Sequence, residues 1–168
     1  MSILDLPLIL ETRRNHAVEH ATLHILAEKY PQLRMAGHSN PTGFFIFSDA
    51  PAEQVKSSVV QAMTRLRAGE SNLAIHAGCG TNFATSLLMA GSFAWLGLGG
   101  ARSRRSWLWR IPFAVGLALL GFILSQPLGP LLQARVTTEA ELGKMELVEV
   151  VPLRIGNANA YRIITREI

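Results

Sequence analysis

The chain has 168 residues, enough for one modest domain or a small domain with an appendage, and 49% of them are hydrophobic. Its formal net charge is +4, and much of the excess positive charge lies in one stretch, ARSRRSWLWR at 101–110. Because basic loops beside apolar blocks are typical of a membrane surface, the charge favours a lipid partner over nucleic acid. Cys79 is the single cysteine, which excludes an internal disulfide.

The N-terminal stretch MSILDLPLILE, at 1–11, is rich in leucine but begins without basic residues and carries Asp5 and Pro7. This composition is not that of a cleavable signal peptide. Two placements stay open at this point: the stretch lies along a membrane surface, or it covers the core of the following domain.

The first 81 residues predict a small α+β domain with the order α-β-β-α-β. The elements expected in order are a helix capped by Thr12 and ending near Lys29, strands at 32–38 and 43–49, a helix ending at Gly69, and a strand at 72–76. The second helix is amphipathic, because its apolar residues share one side; they are Val55, Val59, Ala62, Met63 and Leu66.

Two apolar blocks follow, and they predict a transmembrane helical hairpin over 82–133, with helices at about 83–101 and 111–132. Pro127 and Pro130 should kink or end the second helix. Small residues line one side of each helix, as in helices that pack closely in lipid; they are Ser86, Ala90, Ala94 and Gly97, and Ala114, Ala118, Gly121 and Ser125. The alternative is a buried helical hairpin of a soluble domain.

Tryptophans lie beside the basic loop between these blocks, as interfacial aromatic residues do; they are Trp95, Trp107 and Trp109. The pattern predicts an integral protein of a bacterial inner, plasma or thylakoid membrane, with the arginine loop in the cytoplasm. The chain becomes polar again at 134–168, where two alternating runs joined by IGNAN predict a C-terminal β-hairpin tail.

Three histidines at steps of four, His16, His20 and His24, surround Glu19 in the first helix. On a helical wheel His20 lies about 40° from His16 and His24 about 80°, with Glu19 at about −60°. His16 and His20 can therefore hold one ion together. The order H-x-x-E-H also matches the inverted zincin pattern, in which two histidines bind zinc and the glutamate is a general base.

A second element, HAGCGTN, places His76 and Cys79 in a glycine turn with the H-x-x-C spacing of a chelating knuckle. The two elements meet if the last strand ends beside the first helix. The plainer interpretation is that Cys79 is a small buried residue and His76 caps a strand. No further acidic ligand stands out in the front domain, and His38 is expected to be a turn residue.

HAVEHATLH, followed by HAGCGTNF and an apolar helix, resembles an uncharacterised bacterial membrane family of cyanobacteria and Chloroflexi over most of the chain. The H-x-x-E-H and H-x-x-C-G-T motifs are also similar to those of the YqhQ-like family, described as predicted metal-dependent enzymes. The resemblance implies that seven positions matter: His16, Glu19, His20, His76, Cys79, Gly80 and Thr81.

These patterns favour a membrane-anchored zinc hydrolase, with His16 and His20 as ligands, His76 or Cys79 as the third, and Glu19 as base. Its substrate would lie near the bilayer, as a membrane-protein segment or a lipid-linked molecule. Alternatively, His16, His20, His76 and Cys79 all bind zinc, and the closed site makes the domain a non-catalytic scaffold. A Cys79 nucleophile with His76 as base, or haem ligation by His24, are further alternatives. The sequence does not predict an oligomeric state.

Overall fold

The computed structural model describes residues 2–100, 103–156 and 158–168. Three predicted features include positions outside the described residues: Ala101 at the end of the first apolar helix, Arg102 in the basic loop, and Asn157 in the hairpin turn. The side chain of Arg104 is likewise not described.

Four helices and four strands make up the described chain. In order they are α1 (Pro7–Lys29), β1 (Ala36–Asn40), β2 (Gly43–Phe47), α2 (Ala52–Arg67), α3 (Gly80–Leu98), α4 (Arg104–Leu132), β3 (Met145–Ile155) and β4 (Ala158–Glu167). Short 3₁₀ helices cover Ile3–Asp5 and Ser71–Ala74, and a π-helical turn covers Gln133–Thr137. The predicted mixed α+β class is confirmed.

The chain divides into two compact units. Met1–His76 and Gln133–Ile168 form one, called here the α+β unit, and Ala77–Leu132 forms the other, the helical unit. The chain thus leaves the α+β unit after His76 and returns to it at Gln133.

The sheet of the α+β unit is antiparallel, with the order β1-β2-β4-β3. The predicted C-terminal hairpin is present as β3 and β4, and it belongs to the same sheet as β1 and β2. Phe44 pairs with Ile163, and both side chains are fully buried. Alternating apolar residues give these strands one face toward the helices, and that burial explains why the terminal hairpin joins the sheet.

The core of this unit lies between the sheet and two helices. The apolar side predicted for the second helix is confirmed in α2, where Val55, Val59 and Ala62 are fully buried. In α1 the buried residues surround the helix on several sides, and they include Ala17, Val18, Ala21, Ile25 and Leu26.

Two element predictions in this unit are wrong. The first helix begins at Pro7 rather than after a Thr12 cap, because proline at the first helical position has no amide hydrogen to leave unpaired. The Thr12 hydroxyl instead donates to the Leu8 carbonyl within the helix. Residues 72–76, predicted as a strand, contain a 3₁₀ helix, Ser71–Ala74. Leu73 and Ala74 are both buried, and consecutive buried positions do not fit the alternation of a half-buried strand.

The helical unit consists of α3 packed against α4, and the predicted contact through small residues is confirmed. A side chain at Gly97 would overlap Ala114, and one at Gly121 would overlap the Met89 backbone. The hydroxyls of Ser86 and Ser125 lie 2.8 Å apart. Small side chains therefore let the two backbones approach closely.

Within the described residues one helix, Arg105–Thr137, is long and apolar enough to cross a membrane. Only 17% of its most apolar window is buried, unlike a core helix of a soluble protein. Of the two helices predicted to span a membrane, one therefore meets this test of length and composition. The helix α3 does not meet this test, because Thr81, Asn82 and other polar residues lower the mean hydropathy of its 19 residues. Pro127 and Pro130 lie inside α4 and do not end it.

Candidate metal site

The helix α1 brings two histidines together at one turn. The ring centroids of His16 and His20 are 4.2 Å apart. His20 is 1% exposed and His16 is half-buried. Since both rings sit on a regular helix with a long buried face, their spacing is fixed by the backbone rather than by flexible side-chain contacts.

Backbone carbonyls select the tautomer of both rings. His16 Nδ1 lies 2.9 Å from the Thr137 carbonyl oxygen, and His20 Nδ1 lies 2.7 Å from that of Ala74. A carbonyl oxygen only accepts, so each neutral ring carries its proton on Nδ1 and leaves a lone pair on Nε2. This is the arrangement that orients histidine ligands in metal sites.

The two histidines belong to a group of side chains that could hold a metal ion, with ligand nitrogens within 4.8 Å of each other. Two nitrogens that share a tetrahedral zinc lie about 3.4 Å apart. The separation of the pair therefore exceeds that of two ligands on one zinc by at most about 1.4 Å.

His76 extends the cluster, and its backbone is held on both sides by one side chain. The His76 amide donates to Gln133 Oε1 at 2.9 Å, and Gln133 Nε2 donates to the His76 carbonyl at 3.2 Å. Its ring centroid is 5.6 Å from that of His20. Burial, with smaller effects from His20 and His24, lowers the pKa of His76 to about 4, so this ring is neutral at pH 7.

His24 joins the cluster one turn further along α1. Its ring lies edge-on to His76, at 4.9 Å between centroids. Its Nε2 donates to the Ile75 carbonyl at 2.8 Å, which leaves the lone pair on Nδ1. The sequence left open whether His24 is a ligand, and the signal for its place here is the continued step of four residues.

Glu19 lies against strand β1. The carboxylate is buried, with 4% of the residue exposed, and it accepts a hydrogen bond of 2.5 Å from the Ser39 hydroxyl. A side chain at Gly37 would overlap this carboxylate. The missing side chain at Gly37 thus makes room for Glu19, and its predicted role as a general base stays a prediction.

Two other residues considered in the sequence belong to other elements of the structure. Cys79 is the N-cap residue of α3, in the helical unit, where its sulfur accepts from the Thr81 amide at 3.5 Å. Three peptide links keep its Cα within about 11 Å of that of His76, so its predicted ligand role stays open. His38, predicted in a turn, is an exposed residue of β1 opposite Phe45.

Comparison with known proteins identifies relatives but no activity. Residues 11–150 match the model of DUF6391, a domain of unknown function. An uncharacterised protein of Picosynechococcus sp. (strain ATCC 27264 / PCC 7002 / PR-6) is 40% identical over 101 residues, which cover 52% of this chain and 49% of the relative. The chain thus spans about half the length of the curated relative it matches. No solved structure matches the chain.

The cyanobacterial part of the predicted resemblance is confirmed by this relative. The predicted similarity to the YqhQ-like family rests on the two motifs alone. Because the family match covers most of the residues, including His16, His20 and His76, this chain belongs to the DUF6391 family of unknown function.

Proposed function

We propose that this protein is a membrane-anchored metalloprotein that binds a zinc-type ion and hydrolyses a substrate near the membrane surface. One observation carries the proposal: His16 and His20 lie one helical turn apart, and each donates its Nδ1 proton to a backbone carbonyl. Two imidazoles one helical turn apart, each oriented through Nδ1, have the arrangement that zinc-binding helices use.

Cys79 is the proposed third ligand. It follows His76 by three residues in a glycine turn, and a thiolate with two imidazoles is a donor set that zinc favours. His76 is the other candidate, since its neutral ring already lies beside His20. Three protein ligands leave a fourth position open for water, as in catalytic rather than structural zinc sites.

Glu19 is the proposed general base. It precedes His20 directly, and the Ser39 hydroxyl holds one carboxylate oxygen in place. The hydrogen bond and the packing against Gly37 hold the carboxylate in one position, as a general base requires. In this role Glu19 takes a proton from the water that attacks the substrate.

A closed, non-catalytic site is the second candidate, and the number of nearby imidazoles favours it. The ring centroids of His24 and His76 lie 4.9 Å apart, and that of His76 lies 5.6 Å from that of His20. Two more imidazoles could therefore supply nitrogen ligands. With four protein ligands the ion would staple α1 to the segment around His76, and the domain would serve as a scaffold.

X-ray absorption spectroscopy of the zinc-loaded full chain distinguishes the hydrolase from the non-catalytic scaffold. The hydrolase predicts a zinc shell that contains one oxygen ligand beside nitrogen, and beside sulfur where Cys79 is the third ligand. The scaffold predicts a shell without an oxygen ligand. The variant Cys79→Ser should remove the sulfur signal, whereas His38→Ala, outside the cluster, should leave the spectrum unchanged. A sulfur signal that survives in Cys79→Ser, or an unchanged spectrum in His20→Ala, would contradict the proposed ligand set.

A further inference from the structure

Three large apolar side chains at the start of the α+β unit are exposed. Ile3 is 70% exposed, Leu6 44% and Leu8 68%. Ile3 lies in the first 3₁₀ helix, Leu6 precedes α1, and Leu8 is in its first turn. Three exposed large apolar side chains within six residues of sequence form a candidate interaction surface.

The backbone that carries these side chains is ordered by its own polar groups. The Ser2 hydroxyl accepts from the Leu4 amide, and the Asp5 carboxylate accepts from the Ser2 amide at 2.7 Å. Together they form a capping box, and Pro7 then begins α1. The exposed side chains are therefore displayed by a defined turn.

Arg13 connects this turn to the end of the candidate membrane helix. Its guanidinium donates to the Leu4 carbonyl at 3.4 Å and to the carbonyls of Val136 and Thr138 at 2.8 and 3.1 Å. It also pairs with Glu139 at 3.3 Å. Because one guanidinium reaches both, the Leu4 and Val136 carbonyl oxygens lie within about 9 Å of each other.

Arg13 therefore places the apolar turn beside residues 136–138 of the same unit, which follow α4 in the chain. Residues in or next to this segment suit a membrane interface: Val136 is 40% exposed, and Arg135 is exposed and basic. Basic side chains at the ends of membrane helices contact lipid phosphates, and apolar side chains beside them enter the acyl region.

We propose that Ile3, Leu6 and Leu8 form an interfacial foot that inserts into the lipid bilayer at the surface where the candidate membrane helix ends. The inference rests on the membrane anchoring in the proposed function and adds a second, peripheral contact to it. His16 lies about 12 Å further along the axis of α1 than Leu8. The foot would thus hold the metal site close to the lipid headgroups, within reach of a lipid-linked substrate.

The test uses the full chain in phosphatidylcholine vesicles. An environment-sensitive fluorophore is attached to Leu8→Cys in a Cys79→Ser background, and lipids with a nitroxide near the top of the acyl chain serve as quencher. The matched control is Ala27→Cys in the same background, at an exposed position roughly 28 Å along α1. We expect blue-shifted emission and several-fold stronger quenching at position 8 than at position 27.

The three native tryptophans, Trp95, Trp107 and Trp109, report separately whether the apolar helices are in lipid. If they are quenched while positions 8 and 27 behave alike, the foot is wrong and the membrane anchoring stands. Blue-shifted emission at position 8 without lipid quenching would mean that protein covers the turn, which also overturns the foot. If nothing is quenched, both the foot and the anchoring fail. The variant Ile3→Cys should reproduce the result at position 8.

Discussion

Gln133 holds the peptide of His76 from both sides, donating to its carbonyl and accepting from its amide across 57 residues of sequence. Gln133 is fully buried, and the whole helical unit lies between the two residues in the chain. The two hydrogen bonds therefore hold His76 at the point where the chain leaves the α+β unit and, at Gln133, returns to it.

Replacing Gln133 with leucine should destabilise the protein. The change leaves the amide and carbonyl of His76 without this partner, and each such loss typically amounts to about 1–3 kcal/mol. Chemical denaturation of the full chain in detergent would measure it. The control is Gln126→Leu, at an exposed position of α4, which should change stability by less than about 0.5 kcal/mol. Equal stabilities of the two variants would show that the clamp does not contribute.

Glu19→Gln separates catalysis from ligand support. If Glu19 is the base, the variant should bind zinc as the wild type does and lose hydrolysis of any substrate found. If Glu19 instead orients a histidine ligand, zinc affinity should fall by roughly 10–100-fold. Competitive zinc titration distinguishes the two outcomes. Normal affinity together with unimpaired hydrolysis would remove Glu19 from the site.

The metal-free protein should lose stability in mild acid. Burial lowers the pKa of His76 from 6.5 to about 4, so between these values the unfolded chain binds more protons than the folded one. The stability is therefore fully present above about pH 6.5 and falls as the pH drops toward 4. Melting temperatures measured across this range with a chelator should show a shallower decline in His76→Asn. An identical decline in both proteins would rule out His76 as the cause.

The space at Gly37 is needed by Glu19. A methyl group there would overlap the Glu19 carboxylate, so Gly37→Ala should destabilise the protein by about 1–3 kcal/mol. Truncating the partner in Gly37→Ala with Glu19→Ala should recover part of this loss. Gly91→Ala, where no neighbouring atom lies within 4 Å, is the control and should be neutral or slightly stabilising. A neutral Gly37→Ala would mean that Glu19 does not pack on β1.

The sequence predicted the histidine pair because a helix repeats every 3.6 residues, and residues four apart must share a face. It did not predict what holds the rings, since their partners are the backbone carbonyls of Ala74 and Thr137, which any residue type supplies. The clamp by Gln133 was equally hidden, because a single glutamine after an apolar helix carries no pattern.

For the fold, the sequence likewise predicted local elements but not their long-range pairing. Alternation in the last 25 or so residues marked a hairpin, but nothing local says that β4 pairs with β2. Two uncharged blocks predicted two membrane helices, but only the second is long and apolar enough among the described helices, because polar residues lower the mean hydropathy of α3. Pairing between distant strands is decided by burial of a shared face, which periodicity alone does not specify.

Zinc titration of the purified full-length protein against a competing chelator tests the central claim most directly. The account predicts one tightly bound zinc per chain in the wild type and in His38→Ala, and a large loss of affinity in His16→Ala and in His20→Ala. Wild-type protein that binds no zinc, or a His20→Ala variant that binds it as tightly as His38→Ala, would contradict a metal site on α1.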